Sequence, residues 1–416
     1  MGRRVGRRAL ALAALMLFAP AARGAPPAED PIARAAAALM AAQLPSGLFQ
    51  YDFDFLDGKP SGQDNQVRQA GTLFALGEYL LETGDPKAAA SLRAGLDALA
   101  KRSLPIGRGR VQSALESLGL FAPPLGAGTL TRIYGRYGLL FTRAGEGRLV
   151  ADQGDYAKAE SGTTALGLAA AVAYFRATGD RRFDPIRRGW LLGLVALQLP
   201  QGGLRAVPTA LDRSPFFEGE AWLALAGYHA VFPDDPDAAR ALHALEDYAI
   251  GFYGAAPSPS FYHWGALASA LRYRANGDPR FVRFAAAQAR SALESHDPEK
   301  LEGRNTCSLV EGLASAAGIL QASGIEPELA ARLRERVALE LARSRPLQLR
   351  PGQERLEGGG GAVLQAPALA RHAGAFLAGA HDAYTRTDYT QHCLSALIQA
   401  RRAGLGSGAS PDAAAR

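Results

Sequence analysis

A short break of Gly, Asp and often Pro recurs along this chain between runs of helix-forming residues. It occurs at residues 83–86 (TGDP), 178–180 (TGD) and 276–279 (NGDP), with looser versions at 233–236 and 323–327. Gly suits the left-handed residue that closes a helix, Asp caps the next helix, and Pro fits its first turn. Each break therefore predicts two antiparallel helices joined by a short turn. The chain is predicted to be all-α and to be built from helical hairpins.

Hydrophobic periodicity predicts two kinds of helix that alternate along the chain. Helices of one kind have an apolar stripe and a polar face, whereas those of the other kind are rich in Ala, Leu and Gly on all sides and should be buried. The outer, amphipathic set is predicted at 30–44, 85–102, 182–198, 236–253, 279–295 and 326–344. The inner, apolar set is predicted at 65–83, 163–178, 219–232, 263–276, 305–322 and 389–403.

Six outer–inner pairs close naturally into a ring lined by the inner helices. An internal repeat supports this count, because QLPSGL at 43–48 and QLPQGGL at 198–204 each end an outer helix. In these features the chain resembles the six-hairpin (α/α)6 toroids, which include glycosidases, polysaccharide lyases, epimerases and lanthionine cyclases. The resemblance covers residues 30–403 and implies a fold that hosts several chemistries.

Both ends of the chain are predicted to lie outside the ring. Residues 1–24 have a basic start, a short apolar core and a small-residue cleavage site, which is typical of a secretory signal peptide. Residues 25–403 are expected to form a single toroid domain, and the Gly- and Ala-rich residues 404–416 a disordered tail. We therefore expect a periplasmic or secreted protein without stable membrane insertion.

The charge of the chain gives no indication of a nucleic-acid partner. The sequence has 46 Lys and Arg against 40 Asp and Glu. Five of the arginines lie in residues 1–24, which contain no acid, so the remainder is nearly neutral. With 48% hydrophobic and 21% charged residues, the composition is that of an ordinary soluble globular protein.

The connections between helices predict which end of the ring carries a site. Turns from an inner helix to the next outer helix are short, whereas connections from an outer to an inner helix are long and all lie on the same face. The longest insertion, 103–160, is predicted to hold a small β-hairpin around Gly145 and Gly147. A substrate cleft is expected on this face, which we call the mouth of the ring.

Polar residues in the first turns of the inner helices should converge at the mouth. Glu218 or Glu220 is predicted to face Asp64 or Asp388 as a pair of catalytic carboxylates. The alternative for each residue is a helix cap or a structural ion pair. The predicted substrate-binding residues are Asn65, Arg68, Lys158, Glu160, Tyr262, His263, Trp264, Arg304, Asn305, Tyr389, Gln391 and His392.

Three functions are compatible with these residues. The leading hypothesis is an exported glycoside hydrolase acting on an acidic oligo- or polysaccharide, because basic side chains and helix N-termini surround the mouth. The second is a polysaccharide lyase or uronyl epimerase, in which Tyr262 or Tyr389 and His263 or His392 exchange a proton beside a carboxylate. The third is a non-catalytic toroid of the cell envelope that binds a glycan or a peptide.

The two cysteines, Cys307 and Cys393, lie at equal depth in the last two inner helices. In an exported protein, two matched thiols most simply form a disulfide. The alternative is a catalytic zinc site made of both cysteines with His392 or His263, as the resemblance to lanthionine cyclases implies. The Cys-His-Gly order of those enzymes is absent, since the sequence reads His392-Cys393-Leu394. No other cofactor is expected.

Overall fold

The computed structural model describes residues 30–106, 147–151, 154–357 and 362–405. The predicted signal peptide, most of the predicted tail and most of the 103–160 insertion lie outside these residues. None of the helices in the described ranges combines the length and the apolar content needed to cross a membrane.

Twelve α-helices in the described residues form two concentric layers. The outer layer consists of α1 (Pro31–Ala41), α3 (Pro86–Lys101), α5 (Asp184–Leu197), α7 (Pro236–Ala255), α9 (Pro279–Ser295) and α11 (Pro327–Ser344). The inner layer consists of α2 (Gln66–Thr83), α4 (Ser161–Thr178), α6 (Pro215–Val231), α8 (Pro259–Asn276), α10 (Cys307–Ser323) and α12 (Thr387–Arg402). The predicted (α/α)6 toroid of six hairpins is confirmed.

The short turns between hairpins have the predicted geometry. Gly84 and Gly277 close α2 and α8 with φ angles of 68° and 70°, in the left-handed region that glycine adopts without strain. The next residue caps the following helix in each case. Asp85 accepts a hydrogen bond from the Lys87 amide at 2.8 Å, and Asp278 accepts one from the Arg280 amide at 2.9 Å.

The ring is closed by contacts between its first and last inner helices. Each inner helix packs against the next, and α12 packs against α2. A buried carboxylate secures this seam, because Glu78 of α2 accepts hydrogen bonds of 2.6 Å from both Ser395 and Gln399 of α12. Arg402 adds an ion pair to the same carboxylate at 3.0 Å.

The described part of the chain also contains three two-stranded antiparallel sheets, which lie in the connections between helices. Strand β1 (Asp52–Asp54) pairs with β6 (Tyr384–Arg386), and β4 (Arg355–Glu357) pairs with β5 (Val363–Gln365). In the 103–160 insertion, β2 (Ser103–Ile106) pairs with β3 (Gly147–Val150). The predicted hairpin was centred on Gly145 and Gly147; Gly145 lies outside the described residues, and Gly147 begins β3, which pairs with the distant β2.

Helices α6 and α8 begin about one turn earlier than the sequence pattern predicts. Pro215 and Pro259 occupy their first turns, directly after Ser214 and Ser258. Proline is well suited to this position because its missing N–H would have no partner in a first turn anyway. Residues predicted at the mouth edge of these two helices therefore lie further inside the ring.

A substitution at Gly193 tests how closely α5 packs on β3. A Cβ at Gly193 would lie 2.1 Å from the backbone oxygen of Arg148, so the strand would have to shift. We expect Gly193→Ala to lower the free energy of unfolding by about 1–3 kcal/mol. The matched control is Gly251→Ala in α7, where nothing lies within 4 Å and a helix-interior Gly is removed; it should stabilise by about 0.5–1 kcal/mol. Urea denaturation of both variants measures the difference, and equal effects would contradict this packing.

Candidate active site

Two histidines and a glutamate from three successive inner helices meet near the mouth. The imidazole rings of His263 (α8) and His392 (α12) have centroids 5.5 Å apart in an edge-to-face arrangement. Glu311 (α10) lies between their helices, and its Oε2 is 2.8 Å from His392 Nδ1. Because Glu311 engages Nδ1, Nε2 is the His392 nitrogen left for a reacting molecule.

Burial and charge drive the two imidazoles toward opposite protonation states. Burial lowers the pKa of His263 well below its usual value, and the positive charge of His392 lowers it further. Burial also lowers the pKa of His392, but the charge and hydrogen bond of Glu311 outweigh it and the net shift is upward. At a pH between the two pKa values, a neutral base and a cationic acid face each other, which is an arrangement suited to acid–base catalysis.

The same three side chains could also be considered as metal ligands. Within the described residues, they form the group whose nitrogen and oxygen ligand atoms all lie within 4.8 Å of one another. The direct 2.8 Å contact between Glu311 Oε2 and His392 Nδ1 occupies the space that an ion would need. Two ligand atoms of a tetrahedral zinc ion stand roughly 3.3 Å apart at bond lengths near 2.0 Å. The geometry fits a proton-transfer centre better than a metal centre.

Trp264 forms the floor beneath this centre. Its side chain is 3% exposed, and its ring packs edge-on against Phe74 of α2 at 5.6 Å, across the ring from α8. Trp264, predicted as a stacking surface for substrate, is packed against Phe74, His263 and His392 in this structure. The exposed aromatic is Phe216, whose ring is 44% exposed and lies 6.3 Å from that of His263.

Glu220 is the second chemically distinctive group of the inner layer. It is 3% exposed, and its Oε2 has no hydrogen-bond partner among the described residues. It lies against Gly162, where a Cβ would be 2.1 Å from that oxygen. Burial, with a further contribution from the charge of Glu160, raises the pKa of Glu220 well above its usual value. Glu220 and Glu160 are thus neighbouring carboxyl groups, and the charge of Glu160 disfavours ionisation of Glu220.

Glu218, one of the two predicted catalytic acids, is held by hydrogen bonds from two neighbouring segments. Its Oε1 accepts a hydrogen bond of 3.0 Å from the Leu204 amide, and its Oε2 accepts one from the Tyr253 hydroxyl. These bonds tie the preceding loop and α7 to α6. Because residues two apart on a helix point about 200° apart, Glu218 and Glu220 cannot serve one site.

Asn65 caps α2, and Asp64 directly precedes it. Asn65 accepts a hydrogen bond from the Arg68 amide at 3.1 Å, and the exposed Asp64 accepts one from the Gln69 side chain at 2.7 Å. Asn65 is thus the helix cap that the sequence analysis left as an alternative, and Asp64 is bonded to a side chain of the same hairpin.

Asp388 is held by two arginines. Arg386 donates two hydrogen bonds to its carboxylate, at 2.9 and 2.7 Å, and Arg68 lies 3.2 Å from it. Asp388 is 6% exposed as a residue, whereas the Arg68 side chain is 36% exposed. The group is therefore a basic patch beside the mouth, in which Asp388, a predicted catalytic acid, is the counter-ion of both arginines.

The remaining predicted binding residues divide into buried and exposed groups. Tyr262 is buried and donates to the Leu309 carbonyl at 3.3 Å, and Gln391 is buried and accepts from Thr72 at 3.1 Å. Burial raises the pKa of Tyr262 well above its usual value, so this hydroxyl keeps its proton and stays neutral. Burial and the neighbouring Tyr384 raise the pKa of the half-buried Tyr389 to about 12.

Asn305, Arg304 and Lys158 lie in connections. Asn305 accepts from the Cys307 amide at 3.1 Å and donates to the Leu377 carbonyl at 3.0 Å, so it fixes the last long loop to α10. Arg304 and Lys158 are exposed, while Glu160 is half-buried directly before α4.

Cys307 and Cys393 are joined in a disulfide. Both are buried, with exposures of 1% and 0%. A zinc site built on two thiolates, the alternative that the sequence left open, is therefore wrong for the disulfide-bonded chain, because neither sulfur is a thiolate.

Sequence reasoning missed Glu311. It considered the first turns of the inner helices, whereas Glu311 lies one turn further, in the apolar run 309–320. An isolated acid within an all-apolar inner helix was the available signal, since a buried carboxylate requires a partner.

The fold is an (α/α)6 toroid of six helical hairpins with a polar centre near its mouth. No family model and no curated protein sequence matches the chain.

Solved structures with the same architecture are similar over nearly the whole chain. The GH76A α-1,6-mannanase of Salegentibacter sp. HEL1_6 matches with a TM-score of 0.57 at 11% identity, covering 90% of this chain and 98% of that one. D-mannose isomerase matches with a TM-score of 0.55 at 12% identity, and an unsaturated glucuronyl hydrolase specific for heparin with 0.54 at 13%. Both of these matches cover 89% of this chain and 96% of the other. At such identities the similarity establishes the fold alone.

Proposed function

We propose that this protein is an exported carbohydrate-active enzyme, an isomerase or epimerase that moves a proton at a sugar carbon next to a carbonyl group. The observation that carries this proposal is the facing pair of His263 and His392, with Glu311 hydrogen-bonded to His392. A carbon acid of this kind needs one group that accepts its proton and another that stabilises the oxygen on which negative charge develops.

Each of the three side chains has a defined task. Neutral His263 accepts the proton from the carbon, and the electron pair of that C–H bond forms the carbon–carbon double bond of an enediol. Cationic His392 donates its Nε2 proton to the carbonyl oxygen, so no charged enediolate has to persist. Glu311 holds Nδ1 of His392 and stabilises the imidazolium. Return of a proton to the other face gives an epimer, and return to the neighbouring carbon gives the isomer.

The comparisons and the surroundings of the site support a sugar substrate. The fold is that of enzymes whose names specify mannose, mannan and glucuronyl compounds. The partly exposed Phe216 next to His263 offers an apolar face to a sugar ring. The partly exposed Arg68 supports a carboxylate-bearing sugar, such as a uronate, because guanidinium binds carboxylate in two hydrogen bonds. The disulfide supports export, since such bonds persist in oxidising compartments.

Solvent exchange tests the proposal without knowledge of the product. The protein is incubated in D2O with free aldoses, ketoses and uronates, and deuterium incorporation beside the carbonyl is followed by NMR. Incorporation that depends on the protein supports proton transfer. Binding of a sugar without exchange or any other turnover would replace the enzyme proposal with a non-catalytic binding toroid.

A second candidate is glycoside hydrolysis, the leading hypothesis from the sequence, now with Glu220 and Glu160. The elevated pKa of Glu220 is appropriate for a general acid, and Glu160 is its neighbouring carboxylate. New reducing ends from an oligosaccharide, abolished by Glu220→Gln and retained in His263→Asn, would favour this function. An unsaturated product detected by its ultraviolet absorbance would instead indicate a lyase.

The pH profile of the isomerase is expected to be bell-shaped with a broad plateau. The active form has neutral His263 and charged His392. Activity should fall in acid as His263 becomes protonated, below its usual pKa because burial lowers it. Activity should fall in base as His392 loses its proton, above its usual pKa because Glu311 outweighs burial.

Measuring kcat/KM against pH tests these two limbs. Glu311→Gln removes the charge that favours the imidazolium and should move the basic limb to lower pH. An unchanged basic limb in this variant would contradict the assignment of His392 as the acid.

A further inference from the structure

We propose that the Cys307–Cys393 disulfide is a positioning element of the active site, which holds Glu311 and His392 in the register needed for proton transfer. This inference rests on the proposed function and assigns a role to two residues that do not contact substrate.

The Cys307–Cys393 disulfide and the Glu311–His392 contact join the same two helices, α10 and α12, at neighbouring positions. Cys393 directly follows His392 in α12. Cys307 precedes Glu311 by four residues in α10, so the two side chains lie on one face of that helix, one turn apart. The disulfide and the Glu311–His392 contact are therefore two adjacent cross-links between α10 and α12.

The surroundings of the disulfide favour a rigid connection between α10 and α12. Both cysteines are buried, and Asn305 fixes the start of α10 by accepting a hydrogen bond from the Cys307 amide at 3.1 Å. Neither helix can slide or rotate without straining this bond. Catalytic groups need such support, because displacement by about 1 Å can cost roughly 100-fold in rate.

The charges that face His392 make its position matter. Glu311 of α10 favours its imidazolium form, as does Asp388 of α12, whereas Arg68 of α2 and burial disfavour it, and His263 of α8, which faces it, is neutral. The attraction to Glu311 depends on the short contact that the disulfide maintains. If α10 and α12 separate, the repulsion from Arg68 remains while this attraction weakens.

The test is the double variant Cys307→Ala/Cys393→Ala, compared with the intact full-length protein. We expect a lower kcat by about 10- to 100-fold with little change in KM, because substrate contacts are retained while the proton donor is misplaced. We also expect the pKa of His392, followed by NMR of isotope-labelled histidine and assigned with His392→Asn, to fall toward its usual value. The basic limb of the pH profile should move down with it.

The matched control is Gly193→Ala, which lowers stability in α5 without touching α10 or α12. If lost stability alone explained the effect, this variant would show the same fall in kcat and in the pKa of His392. The proposal is overturned if the folded double variant keeps both the pKa of His392 and kcat. The NMR measurement does not require turnover, so it still decides the positioning role if the deuterium-exchange assay shows that the proposed function is wrong.

Discussion

Replacement of His392 by asparagine is expected to slow protein-dependent proton exchange by about 1,000-fold, within the range by which acid–base groups accelerate reactions. The asparagine amide can still donate a hydrogen bond to Glu311, which is 2.8 Å from Nδ1 in the native protein, so the helices should stay in place. What is lost is the proton on Nε2. His263→Asn should have a similar effect because it removes the base. Deuterium incorporation measured by NMR gives the rates.

The control for these variants is His381→Asn, an exposed histidine in the last long loop. It should exchange protons at the native rate. Circular dichroism and urea denaturation confirm that each variant is folded. A folded His392→Asn protein with native exchange rates would remove the imidazole pair from the mechanism and leave the carboxylates Glu220 and Glu160 as the candidates.

Replacement of Glu246 by alanine is expected to lower the free energy of unfolding by about 3–5 kcal/mol. Its carboxylate is completely buried in α7 and binds groups from three other helices. Arg272 of α8 donates to it through two nitrogens, Trp222 of α6 donates from 3.3 Å, and Arg280 of α9 lies 3.5 Å away. Truncation leaves the buried Arg272 guanidinium without its counter-ion.

The adjacent Asp247 provides a matched control. It lies on the same helix and pairs with Arg280 at 3.2 Å, but its side chain is 71% exposed. Asp247→Ala should therefore change stability by about 0–1 kcal/mol. Urea denaturation of both variants compares a buried and an exposed carboxylate next to each other. Equal effects would mean that burial does not set the strength of this ion-pair network.

The fold could be predicted from the sequence because its signals are local. Gly84 followed by Asp85 fixes a helix end and the next helix start within a few residues, and the same signal recurs in other hairpins. Apolar inner helices differ from striped outer helices without reference to distant contacts. The starts of α6 and α8 were misplaced because the apolar pattern begins one turn after the proline.

The site was less predictable because convergence at the mouth does not determine which way a side chain points. Glu218 and Glu220 are equivalent in the sequence, yet one binds Tyr253 of the outer layer and the other packs against Gly162 of the inner layer. Asp388 has the sequence context of a catalytic acid, but Arg68 and Arg386 engage it in the folded chain. Partners of this kind come from distant segments, so only the three-dimensional arrangement identifies them.

The seam between α2 and α12 has a consequence for biogenesis. Glu78 meets its partners Ser395 and Gln399 across intervals of 317 and 321 residues. The chain is synthesised from its N-terminus, so the apolar side of α2 that contacts α12 stays uncovered until nearly the whole polypeptide has been made. This exposed surface makes the nascent protein prone to aggregation. His392 belongs to the same late-arriving helix. A nascent chain that stops before α12 therefore has neither a closed ring nor His392, the proposed proton donor, so the proposed activity would be acquired only in the final step of assembly.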